Sequence, residues 1–344
     1  MLSRLDLQLR TFALALLVAS GAAGCIPGAA IPAPTDPSAV PTATPQASTQ
    51  APLPLGRPPG EPGVGSFASV APTHADLAYA DASQAQKLDL YLPGGDGPFP
   101  VVMMVHGGGF FMGDKTDGTG LTGVDRLLAA GYAVASINYR LSGEAKYPAQ
   151  IQDAKAAVRF LRAHASEYGL NPEKVGAWGA SAGGNLVALL GTTCGVAELE
   201  GEELGNAGRS SCVQAVVDWF GPIDFLKMDE QFAGTTCPQN HDDASSPESK
   251  LVGAPIQSVP DIVRSTNPMN FISADDSAFL IQHGSADCNI PPVQGKDLAE
   301  ALGAVIGEDK ATFTLLEGAG HGGTQFEAEE NLAKALTFLD THLK

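Results

Sequence analysis

Residues 101–105, Val101-Val102-Met103-Met104-Val105, are apolar without a break, and no other stretch narrows the choice of fold as far. A strand with one wet face alternates apolar and polar residues. A run with no polar position is expected to be covered on both faces, as strands of a parallel sheet are. Short runs of similar character recur at 133–137, 175–178, 213–220, 279–282 and 311–316. Apolar residues return at helical spacing between and after them: Ile151, Ala154, Val158 and Leu161, then 186–190, then 293–302, then Phe326, Leu332, Leu336 and Leu339. Strands and helices in turn predict one α/β domain with a mostly parallel sheet. Residues 77–80 and 86–92 add two earlier strands, the second alternating Leu88, Leu90 and Leu92 with polar residues. A long irregular insertion, 225–276, follows the sixth strand. In such folds the working residues sit in loops at the carboxyl ends of strands.

The domain is expected over 66–344. Ahead of it, residues 1–24 have the layout of an export signal. Arg4 and Arg10 precede an apolar stretch at 11–18, and small residues fill 20–24. The apolar stretch is too short to cross a bilayer as a helix. Residues 25–65 are rich in Pro, Ala, Thr and Gly, with almost no large apolar side chains, which predicts a poorly ordered tether. Ala22-Ala23-Gly24-Cys25 resembles a bacterial lipoprotein box, with Ala22 where such boxes usually carry Leu. The resemblance implies cleavage before Cys25 and lipidation of its thiol, so that the N-terminal lipid is the protein's one hold on a membrane at the cell envelope. The formal net charge of −18 repels phosphate backbones, and no nucleic-acid partner is expected.

Four further cysteines, Cys194, Cys212, Cys237 and Cys288, form an even set, which in an exported chain reads as disulfides with three connectivities open. The favoured pairing is Cys194–Cys212, closing a polar loop, and Cys237–Cys288, tying the insertion to the loop beside Asp287.

The chemistry is carried by three separated motifs. Gly179-Ala180-Ser181-Ala182-Gly183 lies between an apolar run and a helical one, the context that a nucleophile elbow requires. His106-Gly107-Gly108-Gly109-Phe110 follows the run ending at Val105. Chance supplies roughly 0.3 matches to G-x-S-x-G in such a chain but only about 0.01 to H-G-G-G, so the second motif supports the first. Glycines let backbone amides approach a substrate oxygen, and the expected donors are Gly108, Gly109 and Ala182. His106 is expected to prop the loop. Asp287 and His321 follow the next strands, and the order Ser181, Asp287, His321 is that of α/β-hydrolases. His321 then serves as base and Asp287 as the acid that orients it, with Asp224 as the competing carboxylate. His74, His164, His241, His283 and His342 are expected to be structural or solvated. His241-Asp242-Asp243 reads as a polar surface loop, since no spaced partner suggests a metal, and no cofactor is implied.

Together these motifs resemble the hormonesensitive-lipase-like α/β-hydrolase carboxylesterases. Ser246-Pro247-Glu248-Ser249-Lys250-Leu251-Val252-Gly253 is similar to the bacterial feruloyl-esterase-like (BD-FAE) branch. The resemblance implies a serine esterase acting on small carboxylic esters of acetyl or hydroxycinnamoyl type. A serine peptidase of prolyl-oligopeptidase type shares fold and triad, but usually offers a tyrosine hydroxyl where this chain offers glycine amides. A binding lipoprotein on a retired hydrolase scaffold is disfavoured by the presence of all three triad residues. Phe110, Phe225 and Phe232 are candidates for the acyl pocket, the latter two as a roof formed by the insertion.

Overall fold

In the computed structural model, which describes residues 70–117 and 122–344, the run 101–105 lies inside an eight-stranded sheet. The predicted export signal, Cys25 and the tether fall outside the described residues.

The strands are β1 (His74–Ala78), β2 (Lys87–Tyr91), β3 (Phe99–Val105), β4 (Ala133–Ile137), β5 (Leu170–Ala180), β6 (Ala215–Trp219), β7 (Ala278–Gly284) and β8 (Ala311–Leu316). Their order is β1-β2-β4-β3-β5-β6-β7-β8. β2 runs antiparallel to both β1 and β4, and every other pairing is parallel. The chain adopts the α/β-hydrolase fold. All five residues of β4, all five of β6 and all seven of β7 are buried, as continuous apolar runs require when helices cover both faces. The first strand is expected at 77–80 but lies at His74–Ala78, an edge position where side chains are largely exposed and apolar residues mark the register poorly. The short helix Val124–Ala129 has no sequence expectation, because its six residues are too few to show a period.

Two apolar cores lie against the sheet. Leu88, Val101, Met103 and Val105 belong to one, with the helices Ala149–Ala163 and Ala182–Thr192; Val102, Met104 and Trp178 belong to the other, with Glu329–Leu343. Alternate residues of β3 thus feed opposite cores, as the pleat dictates. Each fully buried Val, Leu or Met contributes roughly 1.5–3 kcal/mol. Two disulfides complete the scaffold, Cys194–Cys212 and Cys237–Cys288.

Register places the site. Val105 pairs with Gly179, Ala180 with Trp219, Trp219 with Gln282, and Gly284 with Leu316. The carboxyl ends of β3, β5, β6, β7 and β8 are therefore neighbours, and the loops leaving them meet along one edge.

Candidate active site

Ser181 joins β5 to the helix Ala182–Thr192 at φ 56° and ψ −122°, a conformation that costs an L-residue about 1–3 kcal/mol. Two glycines make the turn sterically feasible. A Cβ on Gly179 would stand 2.2 Å from the carbonyl oxygen of Gly183, and one on Gly183 would stand 2.1 Å from that of Val105. The Ser181 amide donates to the carbonyl of Trp219 at 2.9 Å, which pins the strained residue to β6.

His321 Nε2 lies 2.9 Å from Ser181 Oγ, and His321 Nδ1 lies 2.8 Å from Asp287 Oδ2. A carboxylate can only accept, so Nδ1 carries the proton and Nε2 presents its lone pair to the serine hydroxyl. Asp287 is held from several sides. Its Oδ1 accepts from the amides of Asn289 at 2.8 Å and Ile290 at 3.0 Å, and His283 Nε2 stands 3.3 Å from Oδ2. Burial works against a charge on Asp287, but contacts with His283 and His321 outweigh it and hold the carboxyl well below the usual carboxylate range. Asp224, the competing acid, caps a short turn through the amide of Leu226 and takes no part in this cluster.

The His106-Gly107-Gly108-Gly109 loop leaves β3 beside the serine. Gly108 has φ +104° and Gly109 φ +58°, and the next residue, Phe110, is also left-handed at φ 64°. A Cβ on Gly108 would lie 2.2 Å from the carbonyl oxygen of Met112. The amides of Gly108 and Gly109 donate to no acceptor among the described residues, and that of Ala182 opens a helix, where the first amides lack an intrahelical partner. His106 stacks on Tyr139 with ring centroids 4.4 Å apart, and its Nδ1 is 2.7 Å from the carbonyl of Gly107. Burial lowers its pKa. It supports the loop from behind.

A cavity of about 500 Å³ opens on Ser181. Phe110 lines it, as expected, but Phe225 and Phe232 do not. Phe225 is buried against Phe110 in the apolar core, and Phe232 lies beneath the ring of His241. Their size earned them burial in the body of the domain, so neither roofs the pocket. Beside Phe110 and Phe111, the aromatic wall is made by Trp219, Phe220 and Phe326. Phe220 meets the His321 ring nearly edge-on at 4.7 Å. It directly follows β6, so its position at a strand's carboxyl end was the signal available in the sequence.

Of the expected surface loop, Asp242 and Asp243 are exposed, but His241 is 8% exposed and lines the cavity with Glu248. The Cys237–Cys288 bond draws the insertion onto the Asp287 loop and carries His241 inward. His283 is fully buried against Asp287. It stands four residues before the acid, a spacing readable in the sequence but mute without a fold. Among the described residues no group of His, Cys, Asp and Glu side chains is arranged to hold a metal.

Residues 88–302 match the family model BD-FAE. The chain is similar to Esterase LipC of Mycobacterium tuberculosis, 31% identical over 65% of this chain and 53% of that one. It spans about half the length of the curated relatives it matches. Among solved structures it is similar to a truncated carbohydrate esterase from gut microbiota, with 35% identity and TM-score 0.70, covering 78% of this chain and 95% of that one. It is also similar to a bifunctional GH43-CE protein of Bacteroides eggerthii, with 37% identity and TM-score 0.71, covering 79% of this chain and 35% of that one.

Proposed function

The chain belongs to the BD-FAE family, and from that premise we propose that it is a serine carboxylic-ester hydrolase working through an acyl-enzyme. One observation carries the reading: Ser181 Oγ, His321 and Asp287 stand in a hydrogen-bonded line at 2.9 and 2.8 Å beside the glycine amides. His321 Nε2 takes the Ser181 proton as Oγ attacks the acyl carbon. The carbonyl oxygen becomes an oxyanion, stabilised by the amides of Gly108, Gly109 and Ala182. Asp287, charged throughout, stabilises the imidazolium, which then protonates the departing alcohol. Water repeats the sequence on the acyl-enzyme and releases the carboxylic acid.

The substrates we propose are small acyl and aromatic esters, acetyl and feruloyl types among them. The volume of the cavity and its walls of Phe110, Trp219, Phe220 and Phe326 suit an aryl acyl group. The likeness to a carbohydrate esterase from gut microbiota is in keeping with this reading. A fluorophosphonate should label Ser181, and p-nitrophenyl acetate should be hydrolysed by the wild type and not measurably by Ser181→Ala. Labelling at another residue, or turnover by that variant, would overturn the assignment.

We also propose export, with Cys25 lipidated. Two disulfides in the catalytic domain favour an oxidising compartment. Fatty-acid labelling that is lost in Cys25→Ala is the expected result; label that persists, or never forms, removes the anchor.

A further inference from the structure

Glu248 is 2% exposed and lines the cavity that opens on Ser181. Two other carboxylates of this chain, one buried and one half-buried, gather several donors. Asp153 accepts from Arg140 and Gln86, and Glu200 from Lys155, Ser211 and the amide of Gly195. No donor among the described residues makes a hydrogen bond to Glu248. Among the described residues its one ion-pair partner is His241, whose Nδ1 stands 3.2 Å from Oε2 without hydrogen-bond alignment.

The pair is held firmly. The amides of His241 and Asp242 donate to the two oxygens of Asp229, each at 3.0 Å. His241 Nε2 is 2.9 Å from the carbonyl of Asn289, which can only accept, so Nε2 carries a proton. With a carboxylate facing Nδ1, the ring is best satisfied as the cation. Burial opposes this, but Glu248 and Asp229 outweigh it and raise the pKa of His241. Pro247, the neighbour of Glu248, packs on the oxyanion loop, where a Cβ on Gly109 would come within 3.2 Å of Pro247 Cβ.

We infer that Glu248, steadied by His241, accepts a hydrogen bond from a free hydroxyl of the ester, making the enzyme selective for hydroxylated esters. The inference rests on the serine-esterase reading and deepens it. A buried carboxylate left with unused acceptor positions carries a desolvation cost that a substrate hydroxyl relieves and a bare ring or alkyl chain does not. A phenolic acyl group and a sugar-like alcohol both offer such a hydroxyl.

The test compares kcat/KM within two pairs: methyl 4-hydroxycinnamate against methyl cinnamate, and 2-hydroxyethyl acetate against ethyl acetate. The first pair places the hydroxyl on the acyl side and the second on the alcohol side. The wild type should prefer the hydroxylated member of at least one pair by about tenfold, the worth of one charge-assisted hydrogen bond. Glu248→Met should bring that ratio close to one, and His241→Gln should reduce it. Should Glu248→Met not fold, Glu248→Gln is read in its place, with the ratio expected to fall several-fold. Wild-type ratios near one in both pairs would overturn the inference while leaving the esterase reading intact. So would a ratio unchanged in the Glu248 variant despite a lowered melting temperature, since that is the mark of a staple alone. Hydrolysis of none of the four esters would overturn both readings.

Discussion

His283 Nε2 stands 3.3 Å from Asp287 Oδ2, the same oxygen that accepts from His321 Nδ1. The Nε2 atom also lies 3.1 Å from the carbonyl of Ile290, so it must carry the proton and can donate toward both. On its other side Nδ1 has no hydrogen-bond partner among the described residues, and the ring packs against Gly295, where a Cβ would come within 3.2 Å of that nitrogen. His283 is thus a positioning residue for the acid. His283→Leu should lower kcat roughly tenfold with KM little changed, and His283→Gln, whose amide nitrogen reaches the place of Nε2, should restore most of it. Equal kcat in wild type and His283→Leu would refute this role.

The glycine loop, in the oxyanion role proposed for it, predicts a graded response. At Gly108 a Cβ would meet the backbone oxygen of Met112 at 2.2 Å, whereas at Gly109 it would meet the Phe111 ring at 2.8 Å. A ring can swing aside, and a backbone carbonyl moves only with its loop. Gly108→Ala should therefore cut kcat by about 100-fold or more, on the scale of losing one oxyanion donor. Gly109→Ala should cost less. Steady-state kinetics on p-nitrophenyl acetate would decide, and the reverse order would contradict the loop geometry.

Asp218 in β6 is fully buried, and its Oδ1 accepts from the amide of Gly221 at 3.0 Å while Oδ2 has no hydrogen-bond partner among the described residues. Burial raises its pKa to about 7, and the Gly221 amide offsets this only in part. An unfolded Asp titrates near ~3.9. Between about pH 4 and 7 the folded protein keeps a proton that the unfolded chain releases, so stability falls as pH rises across that window and levels off above it. The melting temperature of Asp218→Asn should fall less between pH 5 and 8 than that of the wild type. Parallel melting curves would show that Asp218 does not titrate in this range.

The disulfides should separate stability from function. Chain-entropy arguments assign about 3 kcal/mol to Cys194–Cys212 and about 4 kcal/mol to Cys237–Cys288, whose partners are 18 and 51 residues apart. Only the second borders the cavity, through Cys288. Replacing Cys194 and Cys212 by Ser should lower the melting temperature with KM unchanged. The same change at Cys237 and Cys288 should also raise KM for aryl esters, and an unaltered KM would mean that the insertion wall holds without its tether.

Ser181, His321, Asp287 and the glycine loop were legible in the sequence because each follows a strand and obeys a local rule. A strained turn demands Gly179 and Gly183, and an amide-lined loop demands Gly108 and Gly109. The central strands β3, β4, β6 and β7 were legible for a related reason, since burial on both faces writes itself as a largely apolar run, whereas the exposed edge strand β1 was misplaced. The cavity wall obeyed no such rule. Phe225, Phe232 and Phe220 are alike as residues, yet the first two pack into the body and only Phe220 meets His321. His241 looked solvated among Asp242 and Asp243 until its insertion folded back under Cys237–Cys288. Sequence by itself therefore determined the fold class and singled out the residues that meet as a hydrogen-bonded line, whose constraints act over a few bonds. Only the tertiary structure decided what surrounds them, because burial and charge pairing depend on segments brought together through space, and one side chain has no local means of recording which neighbours it will meet.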